Sequence, residues 1–245
     1  MYKRVLKRLL DLVLSGAAII VLALPMLLIA IAIKVDDPGP ALFRQKRVGK
    51  KKNGEITYFM IWKFRSMKMA TPHDTPTHLL ENPEQYITRV GRFIRKTSLD
   101  ELPQIYQVFA SKLSAIGPRP ALWSQEDLIA EREKYGANDI KPGITGWAQI
   151  NGRDALEIDE KAKLDGEYAA ALNAGKFKGF AMDARCFFGT IVKVLCHDGV
   201  VEGGTCEMKR KAGGDISCVP RPSGRIAAER KGARDEDLVH NSGRL

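Results

Sequence analysis

Two adjacent carboxylates, Asp100 and Glu101, have the spacing that most directly suggests chemistry in this 245-residue chain. They stand within TSLDELPQ, residues 97–104, at the start of a predicted helix. The helix dipole favours ionised acids there, and two such groups can hold Mg²⁺ or supply a nucleophile and its partner. A structural interpretation competes with this one, because Ser98 and Glu101 also match a capping box.

Cationic side chains that could bind phosphate groups lie on both sides of the carboxylates in the sequence. Lys63 and Arg65 are two positions apart and would share one side of a strand, and Arg95 lies just before the acidic pair. Arg119 lies in GPRP, residues 117–120, where a rigid turn would suit its guanidinium to bidentate phosphate binding. For any one of these residues alone, a solvated or membrane-facing charge is the simpler interpretation.

Two further segments carry polar groups but weaker signals. KPGITGWAQINGRD, residues 141–154, has three glycines that match neither a Walker A nor a dinucleotide motif, so we interpret it as a loop that approaches a ligand closely. LDGEY, residues 164–168, places Asp165 on a predicted helix.

The elements that must position these residues are predicted to form a small α+β domain. Alternation and turn residues predict strands at 41–43 and 56–62, with a polar turn over 49–54 between them. Apolar spacing predicts helices over 99–109, 123–135, 159–174 and 180–195, and residues 70–83 are predicted to be a loop. We therefore divide the chain into a membrane anchor (1–35), a small α+β domain that carries the candidate residues (36–204) and a disordered basic tail (205–245).

The anchor is an uncharged run of 22 residues, Leu12–Ile33, which would reach about 33 Å as a helix, close to the thickness of a bilayer core. It is too long for a typical signal peptide, and no small-x-small cleavage site follows it. Both flanks are basic, and Pro25 would bend the helix near its middle. These residues leave two alternatives open: a re-entrant hairpin and a kinked single span.

Charge and composition narrow the partners. The chain has a formal net charge of +10, but residues 1–65 carry +9 and residues 205–245 carry +3, so the middle is slightly acidic. That distribution disfavours a nucleic-acid binder, and the mean hydropathy of −0.20 argues against a polytopic membrane protein. The four cysteines form no CxxC pair and the histidines are scattered, so free thiols are expected and a zinc site is not.

Seven motifs in one order, over about residues 3–204, closely resemble the bacterial sugar transferase family, the monotopic phosphoglycosyl transferases. They are the N-terminal hydrophobic segment, GPALFRQKRVG, KFRSM, RKTSLDELPQ, GPRP, KPGITGWAQINGRD and LDGEY. The resemblance implies transfer of a sugar 1-phosphate from a UDP-sugar to undecaprenyl phosphate with release of UMP, as the first step of exopolysaccharide or glycoconjugate synthesis.

The same resemblance implies roles for individual residues. Asp100 would be the nucleophile that forms a phosphosugar-aspartyl intermediate, and Glu101 its partner in a dyad that binds Mg²⁺. The positions matching the donor and acceptor phosphate site are Lys63, Arg65, Arg95, Arg119, Arg153 and Asp165. The N-terminal helix would be re-entrant with its bend at Pro25, and the domain would lie on the cytosolic face of the inner membrane against inner-leaflet lipids. A second copy of the chain, in a homodimer, is a further candidate partner.

A non-catalytic alternative belongs to another class. In that hypothesis the chain is a membrane-anchored protein that recruits polysaccharide enzymes, and the acidic pair only caps a helix. Replacement of Asp100 by Asn would then cost little beyond the roughly 1 kcal/mol of a helix cap.

Overall fold

The computed structural model describes residues 2–71, 83–152, 156–195, 206–210 and 216–220. The chain divides into two compact units, Met1–Gly203 and Gly204–Leu245. The described helices are α1 (Lys7–Asp36), α2 (Arg89–Lys96), α3 (Gln104–Phe109), α4 (Glu126–Lys134), α5 (Trp147–Ile150), α6 (Ile158–Asn173) and α7 (Lys176–Leu195). The described strands are β1 (Leu42–Val48), β2 (Tyr58–Phe64), β3 (Ser114–Ile116), β4 (Gly143–Thr145), β5 (Cys206–Arg210) and β6 (Ile216–Pro220). A π-helical turn over Tyr2–Leu6 precedes α1.

The first unit is a mixed helix and sheet structure, as the sequence predicts. Strands β1 and β2 form an antiparallel hairpin with Leu42 opposite Phe64 and Val48 opposite Tyr58. The predicted strands and the turn between them are therefore confirmed, and the first strand is longer than predicted. Strands β3 and β4 pair in parallel, which joins the GPRP segment to the KPGITG segment.

Three of the four predicted helices are found close to their predicted bounds, as α4, α6 and α7. The fourth, predicted over 99–109, is wrong as a single helix. The chain instead makes a 3₁₀ turn over Leu99–Glu101 and then begins α3 at Gln104, after Pro103. Pro103 has no amide hydrogen to donate, so it suits a position before the first helical turn better than one inside a helix. The predicted loop at 70–83 lies mostly outside the described residues.

Helix α1 is the one described helix that is long and apolar enough to cross a membrane. It is continuous over Lys7–Asp36 with Pro25 inside it. One stripe of α1 faces the rest of the unit, and most of its large apolar side chains are exposed. Burying a polar side chain costs free energy unless it has a hydrogen-bonding or charged partner. The partners of the buried polar residues on this stripe therefore show how α1 is attached to the rest of the unit.

The beginning of α1, which we call the foot (Lys7–Ser15), is held by buried polar contacts. Asp11 accepts hydrogen bonds from Ser114 Oγ (2.8 Å) and from the Ala115 backbone N–H (3.0 Å). Arg8 donates to the backbone carbonyls of Val108 and Phe109 at the end of α3. These bonds satisfy carbonyls that a helix C-terminus leaves without intrahelical partners.

Asp183 of α7 completes the attachment of the foot. Lys7 Nζ lies 2.7 Å from Asp183 Oδ2, and the Tyr2 hydroxyl donates to the same oxygen at 2.5 Å. The Tyr168 hydroxyl lies 2.7 Å from Asp183 Oδ1. Burial, followed by the contact with Asp183, raises the pKa of both tyrosines, so each hydroxyl keeps its proton. Cys186, one turn further along α7, is a buried free thiol, and burial raises its pKa to about 12.

The far end of α1 also contacts the domain. Met26 and Ile33 pack with Phe64 of β2 and Ile94 of α2 in one buried apolar cluster. Asp36 Oδ2 accepts from the Val90 N–H at 2.9 Å, near the first turn of α2. Both ends of the anchor helix are therefore in contact with the same unit.

The second unit contains an antiparallel pair of strands, with Cys206 opposite Pro220 and Arg210 opposite Ile216. These ten residues are regular where the composition of the tail predicts disorder; cysteine, valine and isoleucine, which favour strands, are concentrated in them. The remainder of the predicted tail lies outside the described residues.

Candidate active site

The acidic pair lies in a tight turn between α2 and α3. Ser98 adopts a left-handed backbone conformation (φ 56°), and Leu99–Glu101 form a single 3₁₀ turn. The Ser98 side chain makes no capping hydrogen bond to this turn, so the predicted capping box is not formed. The capping-box explanation for the pair is therefore wrong, because the Glu101 carboxylate binds Lys63 and Arg119 instead.

Glu101 is the centre of a charge cluster. Its Oε1 accepts from Lys63 Nζ at 2.8 Å and from Arg119 Nη2, and its Oε2 accepts from Arg119 Nη1 at 3.1 Å. Burial alone would raise the pKa of Glu101, but the Arg119 and Lys63 cations outweigh it and hold that pKa well below its ordinary value. Glu101 is therefore ionised and fixes two cations beside its neighbour.

Asp100 has a different environment from Glu101. It is buried, and the nearest cation is Lys63, with Nζ 3.7 Å from Asp100 Oδ2. Burial raises the pKa of Asp100 above its ordinary value, against the lowering effect of Lys63, and Glu101 raises it further. Within the described part of the chain the Asp100 carboxylate accepts no hydrogen bond. The pair therefore consists of one carboxylate held by cations and one left without a hydrogen-bonding partner beside them.

The pairing of β3 with β4 positions Arg119. The Gly117 N–H donates to Thr145 O (2.7 Å), and the Gly143 N–H donates to Pro118 O (2.9 Å). A Cβ at Gly143 would lie 2.2 Å from the Gly117 nitrogen, so only glycine permits this approach. The two glycine-containing motifs thus brace each other and hold the arginine over Glu101.

The structure brings only some of the predicted site residues to the acidic pair. Lys63 and Arg119 contact Glu101, and the positive charge of Arg95 is close enough to lower the pKa of Asp100. Arg65 lies just after the end of β2 rather than on the strand with Lys63, and it forms a partly buried ion pair with Asp37, just after the end of α1. Arg153 lies outside the described residues.

Asp165 is paired with a residue that the sequence analysis did not single out. Its Oδ2 accepts two hydrogen bonds from Arg132, from Nε at 2.9 Å and from Nη2 at 2.5 Å, and both side chains are buried. Burial raises the pKa of Asp165, although Arg132 opposes that effect. Arg132 also donates to the backbone carbonyl of Arg119 (3.0 Å), so it braces the GPRP turn. Nothing in the local sequence marks Arg132, since it is one charge among several on α4.

A cavity of about 210 Å³ is lined by Arg119 but not by Glu101. Its charged lining residues are Arg47, Arg119, Arg132, Lys161 and Asp165, and its apolar ones are Pro120, Ala121, Leu122, Leu128 and Ala148. Four cationic side chains face one carboxylate, which favours an anionic ligand. The amides of Gln125 and Gln149 complete the lining.

Comparison of the sequence with known protein families identifies the family of this chain. The family profile described as bacterial sugar transferase matches residues 2–197, which is most of the chain and includes both ends of the site. The chain belongs to the bacterial sugar transferase family.

Relatives within the family fall into two sizes. The chain is 39% identical over 178 residues to the UDP-glucose:undecaprenyl-phosphate glucose-1-phosphate transferase of Escherichia coli K12; that match covers 67% of the chain and 36% of the relative. It is 37% identical over 217 residues to the uncharacterized sugar transferase EpsL of Bacillus subtilis, covering 87% of the chain and 99% of the relative. It is 36% identical over 199 residues to the exopolysaccharide production protein PSS of Rhizobium leguminosarum, covering 78% and 96%. The chain thus spans about a third of the first of these relatives and nearly the whole of the other two.

The bacterial sugar transferase resemblance implies Mg²⁺, and the donor set can be tested against it. Mg²⁺ in phosphate-handling sites is usually bound through one or two carboxylates together with substrate phosphates and water. Asp100 fits that role, since its oxygens are not committed to hydrogen bonds, whereas both Glu101 oxygens are taken by Arg119 and Lys63. Among the described residues no cluster of three or more acidic, cysteine or histidine side chains could hold a metal without substrate.

Proposed function

We propose that this protein transfers a sugar 1-phosphate from a UDP-sugar to undecaprenyl phosphate and releases UMP, through a covalent intermediate on Asp100. The observation that carries the proposal is the buried Asp100 carboxylate, which accepts no hydrogen bond from the described residues, beside a cluster in which Glu101 fixes Lys63 and Arg119. The names of the relatives from Escherichia coli and other bacteria supply the donor and acceptor classes.

The first step forms one bond and breaks one. An Asp100 oxygen attacks the β-phosphorus of the UDP-sugar, the bond from that phosphorus to the bridging oxygen breaks, and UMP leaves with the electron pair. The sugar phosphate is then bound to Asp100 as an acyl phosphate. In the second step a phosphate oxygen of undecaprenyl phosphate attacks the same phosphorus, and Asp100 leaves as a carboxylate.

Charge stabilisation is the main task of the surrounding residues. Phosphoryl transfer depends on positioning and on neutralising the charge of the phosphate oxygens. Lys63, Arg95 and Arg119 supply that charge in the proposal, and Arg153 is expected to add to it. Glu101 positions Lys63 and Arg119 rather than attacking, because its oxygens are bound by them. Mg²⁺, held by Asp100 and the substrate phosphates, would supply further neutralisation of the diphosphate.

We also propose that α1 is re-entrant, bent at Pro25, with the domain on the cytosolic face of the inner membrane. The contacts of the foot with Asp183 and of Met26 and Ile33 with Phe64 support this topology. A single span would move one end of the helix about 30 Å away from the domain and break one of these two sets of contacts. In the re-entrant topology, both basic flanks of the helix would lie against the anionic headgroups of the same leaflet.

Release of UMP by the purified chain tests the reaction. The assay contains nanodiscs with undecaprenyl phosphate, Mg²⁺ and a panel of UDP-hexoses and UDP-N-acetylhexosamines. We expect one donor to release UMP, and Asp100→Asn to reduce the rate by at least a thousandfold, since the nucleophile is removed. Asp127→Asn, a change of the same type at the start of α4, should retain full activity.

Two results would contradict the proposed reaction. An Asp100→Asn variant as active as the wild type would exclude the aspartyl intermediate. A folded chain that releases no UMP from any donor, with lipid and Mg²⁺ present, would favour the recruiting protein over the enzyme.

Cysteine labelling tests the topology. Val5→Cys and Val35→Cys place thiols at exposed positions beside the two ends of the apolar segment, in a chain whose native cysteines are replaced. With a membrane-impermeant maleimide, we expect both to react in inverted inner-membrane vesicles and neither in spheroplasts. One end reacting from each side would demonstrate a single span, and Leu24→Cys, next to the bend, should be protected in both preparations.

A further inference from the structure

The cavity beside Arg119 contains polar atoms that the described residues do not satisfy. Both amide atoms of Gln149, Oε1 and Nε2, are buried without a hydrogen-bond partner among those residues, and so is Oδ1 of Asp165. Leaving a buried amide without partners is costly, so such a group in the lining of a cavity indicates a ligand that pairs with it.

The size and lining of the cavity restrict that ligand. At about 210 Å³ it is smaller than the roughly 300–1,000 Å³ of pockets that hold drug-sized ligands, so it fits the nucleoside part of a UDP-sugar and not the whole donor. Pro120, Leu122, Leu128 and Ala148 are among its lining residues, so the flat face of a base has apolar side chains to pack against. A hexose, with hydroxyls around its whole rim, would need polar partners in place of these side chains.

The position of the cavity relative to the acidic pair determines which end of a bound UDP-sugar would lie near Asp100. Arg119 lines the cavity and also binds Glu101, so it lies between the cavity and Asp100. A diphosphate on Arg119 would therefore have one end directed toward Asp100 and the other toward Gln149.

We propose that Gln149 recognises the uracil ring of the donor, with its amide paired to the imide edge of the base, and that Asp165 Oδ1 accepts a hydrogen bond from a ribose hydroxyl. This inference rests on the proposed function and names the residue by which that site recognises its nucleotide. Gln149 supplies one donor and one acceptor on one planar group, and the uracil edge carries the complementary pair.

Binding of two phosphates to the full chain in detergent tests the proposal. UMP and ribose 5-phosphate share the ribose and the phosphate and differ by the base, so the ratio of their Kd values, measured by calorimetry, reports recognition of uracil. We expect the wild type to prefer UMP, and Gln149→Met, which keeps the size of the side chain, to reduce that preference roughly tenfold with ribose 5-phosphate binding unchanged.

Gln85→Met is the matched control. Gln85 is exposed on the 3₁₀ turn Pro83–Tyr86 and does not line the cavity, so its replacement should leave the UMP preference intact. The melting temperature of each variant shows whether it is folded. A Gln149→Met variant that retains the full preference, or a wild type that binds UMP no better than ribose 5-phosphate, would overturn the inference.

Turnover measured on the same preparations separates this inference from the proposed function. UMP release that depends on Asp100, together with an unchanged preference in Gln149→Met, rejects base recognition and leaves the reaction standing. Preferential UMP binding that depends on Gln149, without turnover of any UDP-sugar, rejects the reaction and leaves the uridine site standing.

Discussion

Asp100 and Glu101 are adjacent in the chain but have opposite electrostatic environments. The Glu101 pKa is held low by two cations, whereas burial raises the pKa of Asp100. An ion pair that is mostly buried is costly to break from one side, because the remaining charges lose their partner. Glu101 is therefore expected to contribute to the stability of the fold as well as to the site.

Replacement of Glu101 by Gln should destabilise the chain by about 2 kcal/mol at neutral pH, because Lys63 and Arg119 lose their counter-charge. The folded-state pKa of Glu101 lies below its unfolded value near 4.5, so its contribution is present above about pH 4.5 and is lost as the pH falls through the folded pKa. Urea unfolding in detergent should therefore show a difference from wild type that shrinks on acidification.

The matched control for that change is Glu133→Gln, which removes the more exposed partner of Lys51. It should alter stability less than Glu101→Gln does. Equal effects of the two substitutions, or a Glu101→Gln difference that grows in acid, would contradict the assignment of Glu101 as a buried counter-ion.

For individual residues, the sequence predicts which side chains could belong to the site better than it predicts what those side chains contact. Lys63 and Arg119 were expected near the acidic pair, and both contact Glu101. The partners Asp37 of Arg65 and Arg132 of Asp165 are 28 and 33 residues away in the chain, and no local periodicity indicates such pairings. The sequence places Gln149 in a glycine-containing motif, but it does not show that the Gln149 amide lacks a hydrogen-bond partner among the described residues.

The elements of the fold are held together by a few buried polar contacts as well as by apolar packing. The hairpin and three helices follow directly from alternation and spacing, because each has an apolar face that must be buried. The turn at Ser98 could not be predicted in this way, since a left-handed conformation at a single serine leaves no periodic pattern in the sequence. Asp11 and Asp183 are acidic residues within largely apolar stretches of helix. Such residues are the feature of the sequence that could have predicted buried polar contacts between helices.

Asp183→Asn tests the attachment of the foot. The substitution leaves Lys7 as a buried cation without its counter-charge, so we expect a loss of about 3 kcal/mol in the free energy of unfolding. Asp159→Asn, in the first turn of α6, is the control and should change stability by less than 1 kcal/mol. Thermal unfolding in detergent measures both, and a wild-type melting temperature for Asp183→Asn would show that the foot does not need this ion pair.

The first unit carries the candidate site and also exposes large apolar surfaces. Phe177, Phe188 and Val192 on α7 are largely exposed, as are most of the large side chains of α1. A monomeric soluble protein rarely exposes so much apolar area, so these faces are expected to contact lipid. All described members of the candidate site lie in the first unit, Met1–Gly203.

A chain ending at Gly203 should therefore keep its activity. We expect UMP release within about twofold of the full chain and an unchanged melting temperature, because the deleted residues form a separate compact unit. The rate per enzyme in nanodiscs is the measurement. A loss of tenfold or more would assign the second unit a part in the reaction or in the fold.

The foot of α1 is also the part of the core that is synthesised first and completed last. Lys7 leaves the ribosome 176 residues before Asp183, a delay on the order of ten to thirty seconds at bacterial rates of translation. Over that interval Lys7 lacks the Asp183 counter-ion, whereas the partners of Asp11 and Arg8, at residues 108–115, have already been made. The contacts with Asp183 are therefore the last contacts of the foot that can form. Helix α1 is thus available as a packing surface before α7 is synthesised.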